Sequence, residues 1–519
     1  MLHALFSLLG PGVLLLAAVA TMIEPARRPA WSPRLTETAG FLALLVAGGV
    51  ASLLALQGPG TGRVPGAVGS VIAVRLDVVS VVMQLLVAFV GWTVLRYSRT
   101  YLDGESRQGP FLGWMAATLA AVLLLVQAAS LVLLLFAWVA TSLALQRLLL
   151  FYPARIQAVR AARKKFIVAR LGDVALVGAC TLLFIGYDTL DIPTLLAAAR
   201  GGAAPPGTGW AAALIGLAAV LKSAQFPMHG WLTEVMETPT PVSALLHAGV
   251  INAGGFLLIR FADVMLLAPG VLAGLLMIGG FTAVLGGLAM LAQPAVKTSL
   301  AWSTIAQMGF MVMQCGLGLF PLALLHIVAH SLYKAHAFLS SGTAVELVAA
   351  IRRPGPIAVP DAAAVRRAFL VALATYVVIG AVFGLWAKAP QVIALGAILI
   401  FGVAYLIAQG LADAAPRTLT RRTVVYAIAA TVSYFALQGG AEWLTAGTLP
   451  GPPVPGALEW VLLTLAVTSF GIVAVAQAMF PLWAHHPAAA GLRVHLANGL
   501  YVNAIFDRLV GNWSARRSY

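Results

Sequence analysis

The chain has 519 residues, of which 61% are hydrophobic and only 9% are charged, whereas a soluble domain carries about 25% charged residues. A water-soluble protein of this length could not bury so much apolar surface, so the composition excludes a soluble enzyme. The formal net charge of +15 suggests either nucleic-acid binding or the excess of basic residues in the cytoplasmic loops of a membrane protein. The hydropathy favours the second, and no nucleic-acid partner is predicted.

Apolar stretches of about 20 residues recur along the whole chain and predict membrane-spanning helices. They are continuously apolar, without the alternation of a membrane barrel, so we expect an all-α polytopic membrane protein. The first stretch could be a signal peptide, but it lacks a basic start and a clear cleavage site, so we treat it as retained. About fifteen spans are predicted, at 2–23, 38–57, 71–95, 111–127, 130–150, 166–187, 210–228, 240–262, 270–292, 299–317, 321–346, 366–388, 391–411, 423–442 and 458–483.

Basic residues follow the odd-numbered spans, while the opposite loops carry little beyond Arg63 and Arg200. Lys and Arg accumulate on the cytoplasmic side of membrane proteins. We therefore expect an inner (plasma) membrane protein with its N-terminus outside and its C-terminus in the cytoplasm, where the tail 484–519 either lies along the membrane face, docks on a partner or is loosely ordered. The clusters are Arg27, Arg28 and Arg34; Arg96, Arg99 and Arg107; Arg155, Arg160, Arg163, Lys164 and Lys165; Arg352 and Arg353; Arg417, Arg421 and Arg422; and Arg493, Arg508, Arg516 and Arg517.

The chain offers little for redox or metal chemistry. Its two cysteines, Cys180 and Cys315, are far apart in apolar stretches, and an iron–sulfur cluster needs about four cysteine ligands. No dinucleotide fingerprint stands in a strand–turn–helix context. We predict no cofactor and no metal bound by the chain itself.

Lys222 lies two-thirds along an apolar span, five residues before Pro227. A proline breaks a membrane helix, and a broken helix beside a buried lysine is the usual build of a membrane ion site. The alternative is a lysine that extends its ammonium to the interface. The depth of Lys222 favours an ion-translocating role.

His326, His330 and Lys334 are spaced by four residues, which places them on one face of a helix. Histidines beside a buried lysine can relay protons. The His-x-x-x-His spacing also occurs at zinc sites, but the neighbouring lysine would repel the metal. Structural histidines are a further alternative.

Other ionisable residues lie within or beside the spans. Lys388 is followed two residues later by Pro390, and Lys222 is followed five residues later by Pro227. Such paired interruptions are typical of inverted-repeat transporters. His247 lies inside span eight, and Lys297 lies just before span ten. Arg170 and Asp173 form a predicted local pair with a structural or a functional role.

Two long stretches and one short motif resemble the antiporter-like subunits of respiratory complex I and of Mrp-type cation/proton antiporters: 216–262, 297–342 and Arg-Leu-Gly-Asp at 170–173. The resemblance implies two inverted five-helix repeats, one with a broken helix, and a division into 1–110 (N-terminal helices), 111–265 (first repeat), 266–412 (second repeat) and 413–519 (C-terminal helices and tail). It also implies a central hydrophilic axis for protons or cations made of Lys222, His247, Lys297, His326, His330, Lys334 and Lys388.

The sequence departs from that family at two points. Family members have a glutamate directly after the tryptophan of span five, whereas Val139 follows Trp138 here, with Thr141 and Ser142 nearby. Lys222 thus lacks its expected counter-charge. The family also has a short half-helix after the lysine of span twelve, whereas span thirteen begins almost directly after Lys388 and Pro390.

The segments 141–149 and 494–511 resemble the DabB membrane subunit of inorganic-carbon pumps. This resemblance implies that H⁺ or Na⁺ running down its gradient drives CO₂ hydration to bicarbonate in a DabA-like partner, a zinc-binding subunit related to carbonic anhydrase. The alternatives are a proton-pumping subunit of a complex I-like NADH:quinone oxidoreductase or membrane hydrogenase, a subunit of a Mrp-type Na⁺/H⁺ antiporter, and a structural scaffold without transport.

Overall fold

The computed structural model describes residues 2–23, 31–64, 72–341, 361–410, 417–479, 483 and 486–509. Within them the chain is predominantly helical, as predicted. The elements are α1 Leu2–Leu5, α2 Leu9–Ile23, α3 Ser32–Gln57, β1 Gly60–Arg63, β2 Ala73–Leu76, α4 Val78–Tyr101, α5 Gln108–Gln127, α6 Leu131–Leu149, α7 Ile156–Tyr187, α8 Ile192–Arg200, α9 Thr208–Lys222, α10 Gly230–Glu234, α11 Thr240–Ala248, α12 Ala253–Arg260, α13 Ala262–Leu266, α14 Pro269–Leu291, α15 Val296–Gly316, α16 Phe320–Ser340, α17 Ala362–Val382, α18 Pro390–Gly410, α19 Arg417–Thr445, α20 Ala457–Ala478, α21 Pro487–Ala497 and α22 Val502–Leu509.

Twelve helical segments among the described residues are long and apolar enough to cross a membrane. The predicted spans seven, ten and thirteen match α9, α15 and α18, which lie outside that set; α9 and α18 provide shorter apolar segments. Each predicted span therefore overlaps a helix or an interrupted helix. The basic clusters at 27–28, 352–353 and 516–517 and the boundary at 412/413 lie outside the described residues.

A small antiparallel sheet corrects the predicted start of span three. Residues Ala73–Leu76 pair with Gly60–Arg63 instead of entering the membrane helix. Asp77 directly follows this strand and caps α4. Its carboxylate accepts from the Ser80 N–H at 2.8 Å, and the Ser80 hydroxyl accepts from the Asp77 N–H at 2.9 Å. Such reciprocal capping fixes a helix start, so α4 begins at Val78.

Asp77 also joins distant parts of the chain. Its carboxylate lies 2.6 Å from a guanidinium nitrogen of Arg260 and 2.7 Å from Nε of Arg75. Burial raises the pKa of Asp77, but the positive charges of Arg260 and Arg75 outweigh this effect and lower it to about 2. This ionised cluster fastens α12 to the start of α4.

Two predicted spans differ from the structure in where the helix is interrupted. The helix α9 ends at Lys222, five residues before the predicted break at Pro227, and Ala224 adopts a positive φ of 50°. Span eight, predicted as continuous, is divided at Gly249 into α11 and α12. There the Asn252 side chain donates to the carbonyl of Ala248 at 3.0 Å and so competes with regular helix hydrogen bonds.

Span twelve also ends earlier than predicted, because α17 stops at Val382 and Gly384 follows with a φ of 73°. Lys388 therefore lies in a short connection and not on a helix. The next helix, α18, begins two residues later at Pro390, so the connection has no separate half-helix, in agreement with the sequence.

The buried cores are arranged along the chain. One continuous apolar core reaches from the N-terminal helices to α16. A second forms between α17, α18 and α19, with Tyr376, Ile400 and Phe435 among its members. The division of the chain into two repeats stays a prediction.

Candidate functional site

Lys222 is the last residue of α9 and lies at the broken end of that helix. Its ammonium nitrogen is 4.4 Å from the centroid of the Trp138 ring on α6, a cation–π distance. The Trp138 indole N–H donates to Oδ1 of Asp173 at 3.0 Å, and Asp173 is paired with Arg170 at 2.7 Å. Trp138 thus stands between the lysine and a carboxylate.

Among the described residues no carboxylate contacts Lys222, but one lies on the far side of Trp138. The position after Trp138 is indeed Val139, but Asp173 on α7 is the acidic group whose charge acts on Lys222. The predicted pair of Arg170 and Asp173 exists. The carboxylate nearest to the Lys222–Trp138 pair therefore belongs to α7, whereas the family has its glutamate on the helix that corresponds to α6. It does not contact the lysine directly.

A second buried lysine, Lys165, lies close to the same place. Its side chain donates to the carbonyl oxygen of Ser142 at 2.7 Å and to the Ser142 hydroxyl at 3.1 Å. Sequence reasoning missed this residue because it belongs to a run of basic residues that was assigned to the cytoplasmic face. Nothing in the sequence distinguished it from its neighbour Lys164.

The second part of the site lies where α11 packs on α15 and α16. His247 is fully buried, and its Nδ1 is 3.0 Å from the Thr304 hydroxyl. Nε2 of His330 is 3.1 Å from the carbonyl oxygen of His247. Lys334 is also fully buried and donates to the Ser303 hydroxyl at 2.7 Å.

His326 lies one turn before His330 on α16, as the spacing predicted, with ring centroids 6.0 Å apart. Its Nε2 is buried without a hydrogen-bond partner among the described residues. The prediction that His326, His330 and Lys334 share a helix face is therefore in agreement with their contacts. Within the described ranges, no three His, Cys, Asp or Glu side chains converge as metal ligands would.

The interrupted helices connect these two parts. The Ser223 hydroxyl, directly after Lys222, donates to the carbonyl of Ile251 at 3.1 Å. The neighbouring Asn252 donates to the Ser331 hydroxyl on α16 at 2.9 Å, next to His330. Polar groups thus lead from the end of α9 across the break in span eight to α16.

Lys388 and Lys297 lie apart from this centre. Lys388 pairs with Glu442 of α19 at 2.6 Å, and both residues line a cavity of about 590 Å³ that reaches Pro321 at the start of α16. Lys297 is half-buried and donates to the Thr240 hydroxyl at 3.2 Å. Glu442 carried no signal in the sequence, because it stands 54 residues from Lys388.

Lysines and neutral histidines can take up and release protons, and here they lie inside a bundle of apolar helices. The fold and these buried groups define a polytopic membrane protein of the ion-translocating antiporter type. The protein-family model described as the membrane region of NADH:quinone oxidoreductase and the Mrp antiporter matches residues 128–393. The model of the N-terminus of complex I chain 5 matches 65–112. The chain belongs to this NADH:quinone oxidoreductase/Mrp antiporter family.

Curated relatives divide into two groups. The probable inorganic carbon transporter subunit DabB2 of Halothiobacillus neapolitanus is 37% identical over 96% of this chain and 92% of its own length. DabB of Hydrogenovibrio crunogenus is 46% identical over 53% of each chain. Subunit L of the Pseudomonas aeruginosa NADH-quinone oxidoreductase is 37% identical over 52% of this chain and 44% of its own length. DabB2 and subunit L are thus equally identical to this chain where they match it. The match to DabB2 spans almost the whole of both proteins, whereas the match to subunit L spans about half of this chain and less than half of its own.

Solved structures share the fold. The Mrp complex from a Dietzia species contains a chain with a TM-score of 0.59 and 26% identity, over 98% of this chain and 57% of that one. A chain of an archaeal membrane-bound sulfane sulfur reductase gives a TM-score of 0.57 over 91% of this chain and 75% of that one. At 18% identity, the second likeness concerns the fold alone.

Proposed function

We propose that this chain is the cation-conducting membrane subunit of an energy-coupled inorganic-carbon uptake complex. The observation that carries the proposal is the similarity to DabB2, which extends over 96% of this chain and 92% of that protein. The resemblance to NADH-quinone oxidoreductase subunit L covers only about half of either chain. The part of the chain that the match to subunit L does not cover is thus almost entirely included in the match to the DabB-type relative.

In the proposed mechanism the buried basic groups bind and release H⁺ in turn. Where Na⁺ is the transported cation, it moves in exchange for H⁺. Lys222 is the switch, because the broken end of α9 and the Trp138 ring hold its ammonium without a direct carboxylate partner. His247, His330 and Lys334 link it to His326, and Lys388 with Glu442 lies beyond His326, beside the start of α16. Lys297 and the Arg170–Asp173 pair complete the proposed axis.

The free energy of the cation gradient would drive hydration of CO₂ in a partner. We propose a DabA-like, zinc-binding subunit related to carbonic anhydrase as this partner, in the inner membrane and with the C-terminus of the present chain in the cytoplasm. A second candidate is a proton-pumping subunit of a complex I-like enzyme or a Mrp-type antiporter. It is favoured by the family model over 128–393 and by the Dietzia structure.

Growth of a carbonic-anhydrase-deficient bacterium in ambient air tests the proposal. The chain is expressed with the neighbouring gene, and each is expressed alone. Rescue that requires both genes supports a coupled inorganic-carbon pump. Failure of a well-expressed pair to restore growth would transfer the assignment to the complex I-like or antiporter subunit.

Single substitutions test the proposed stations in the same strain. Lys222→Ala and Lys334→Met remove an ammonium that a proton must visit, so we expect loss of growth rescue with unchanged amounts of membrane-inserted protein. Arg493→Gln, on the exposed face of α21, is the matched loss of a cation away from the axis and should leave rescue intact. Normal growth with Lys222→Ala would refute the switch, and normal growth with Lys334→Met would refute the relay.

A further inference from the structure

The chain contains far fewer lysines than arginines. Only six of its 32 Lys and Arg residues are lysines: Lys164, Lys165, Lys222, Lys297, Lys334 and Lys388. Arginine cannot release its proton in a protein, whereas lysine does so readily when it is buried. Each buried lysine of this chain is therefore a candidate proton-exchanging group.

The adjacent residues Lys164 and Lys165 have opposite surroundings. Lys164 binds carboxylates: its ammonium is 2.5 Å from Glu234 and also contacts Asp507. Lys165 is only 5% exposed and binds Ser142 through its carbonyl and its hydroxyl. Among the residues that the structure describes, no carboxylate contacts Lys165.

Lys165 and Lys222 line one small cavity between α6, α7 and α9. Leu145, Trp231 and Leu246 belong to its otherwise apolar wall, and its volume is about 20 Å³. A space of roughly 10–15 Å³ or more holds one water molecule. The cavity that both lysines line therefore has room for one water molecule.

The charges around this cavity do not balance if both lysines are protonated. The charged groups that act on Lys165 are Lys222, Arg170 and Asp173, which amounts to three cations and one carboxylate when Lys165 is included. The facing helix α6 contributes Ser142, with Val139 one turn away. Glu234, the last residue of α10, is already bound to Lys164. Two like charges in a low-dielectric site repel each other strongly, so the pair is stable with one shared proton.

We propose that Lys165 is a second proton-exchanging group of the translocation site and takes the proton of Lys222 through one water molecule. An N–H bond of the Lys222 ammonium breaks as the water oxygen accepts that proton, and the water passes another proton to the neutral amine of Lys165. Lys165 thereby performs the exchange for which no carboxylate is present on α6. This inference rests on the proposed function, because it concerns a cation moving through Lys222.

The adjacent lysines provide a matched pair of substitutions. Lys165→Arg keeps the charge but cannot release a proton, so we expect the rate of gradient-driven uptake to fall by roughly 100-fold, as for loss of a proton-transfer group. Lys164→Arg keeps the ion pairs with Glu234 and Asp507 and should retain the wild-type rate. Wild-type rate and pH profile in both Lys165→Arg and Lys165→Met would overturn the proposal.

A second measurement is independent of carbon uptake. With ¹⁵N-labelled lysine, the purified full chain in lipid gives one side-chain signal for each of six lysines, assigned by single substitutions. Lys222→Met should shift the neutral-to-charged transition of Lys165 to higher pH, since a competing cation is removed. A Lys165 signal that is charged at every pH, or unaffected by Lys222→Met, would contradict the shared proton. Failure of the growth rescue with this NMR coupling intact would count against the proposed function alone.

Discussion

Trp138 has two roles at the residue scale, since its ring face holds the Lys222 ammonium and its edge binds Asp173. Trp138→Phe keeps an aromatic face but removes the N–H donor, so Asp173 loses a hydrogen bond worth about 1.5–3 kcal/mol for a charged group. We expect the initial rate of inorganic-carbon uptake, measured as a function of the size of the cation gradient, to fall by roughly 10-fold or more. Trp210→Phe, on a residue that is 74% exposed, is the control. Equal rates in both variants would remove Trp138 from the site.

Asp77 provides a prediction about stability. Its pKa is about 2 in the folded chain, against an ordinary 3.8. A lowered pKa stabilises the fold above pH 4, and this contribution is lost as the pH falls from about 4 to about 2. Asp77→Asn leaves Arg260 buried without its counter-charge, at a cost of about 3–5 kcal/mol.

Thermal unfolding of the purified protein between pH 2 and pH 7 checks this expectation. The Asp77→Asn protein should unfold at lower temperature near neutral pH and lose part of the acid sensitivity of the wild type. Asp188→Asn, at an exposed helix end, is the control. Superimposable curves for wild type and Asp77→Asn would show that the buried cluster contributes nothing.

At the scale of elements, α14 and α15 approach closely because glycines face each other. Small residues allow such contact between membrane helices. A Cβ at Gly286 would lie 2.8 Å from the backbone nitrogen of Ala306, whereas a Cβ at Gly287 would meet nothing within 4 Å. The two neighbouring glycines thus have opposite tolerance for an added methyl group.

Gly286→Ala should separate the helices and lower the free energy of unfolding by about 1–3 kcal/mol. Gly287→Ala should be neutral or stabilising by up to about 1 kcal/mol, because alanine favours the helix. Denaturant unfolding in mixed micelles measures both. A larger loss for Gly287→Ala than for Gly286→Ala would refute this packing.

At the scale of the whole molecule, the C-terminal segment returns to the first half of the chain. Asn503 on α22 accepts from Lys164 at 2.9 Å and donates to Glu234 at 2.5 Å. The described part of the tail, 486–509, therefore contacts α7 and α10 of the same chain. Its position along the cytoplasmic face or against a partner stays a prediction. The network holds α22 beside the segment that follows the broken end of α9.

Asn503→Ala should release this contact and accelerate amide hydrogen exchange in 487–509, followed by mass spectrometry. Exchange in α14 should stay unchanged, because local opening leaves the apolar core intact. Arg508→Gln, an exposed residue of the same helix, is the control. Unaltered exchange in Asn503→Ala would show that the network does not hold the tail.

The sequence alone determined the membrane class, the approximate spans and the helix face shared by His326, His330 and Lys334. These are local properties, because hydropathy needs only about 20 successive residues and a helix face needs only its period. The family resemblance added the expectation of an axis through Lys222 and Lys388. Breaks were less predictable: Pro227 marked the region of one, but the helix had already ended at Lys222.

Only the tertiary structure decided which charges meet. Asp173 reaches Lys222 through Trp138, Glu442 pairs with Lys388, and Lys165 turns inward to Ser142 while its neighbour Lys164 binds the tail. Such contacts join residues far apart in the chain, so composition and spacing carry no record of them. From the sequence one can predict which ionisable groups lie in apolar spans. Helix packing determines which of these groups share a cavity and hence which can exchange a proton.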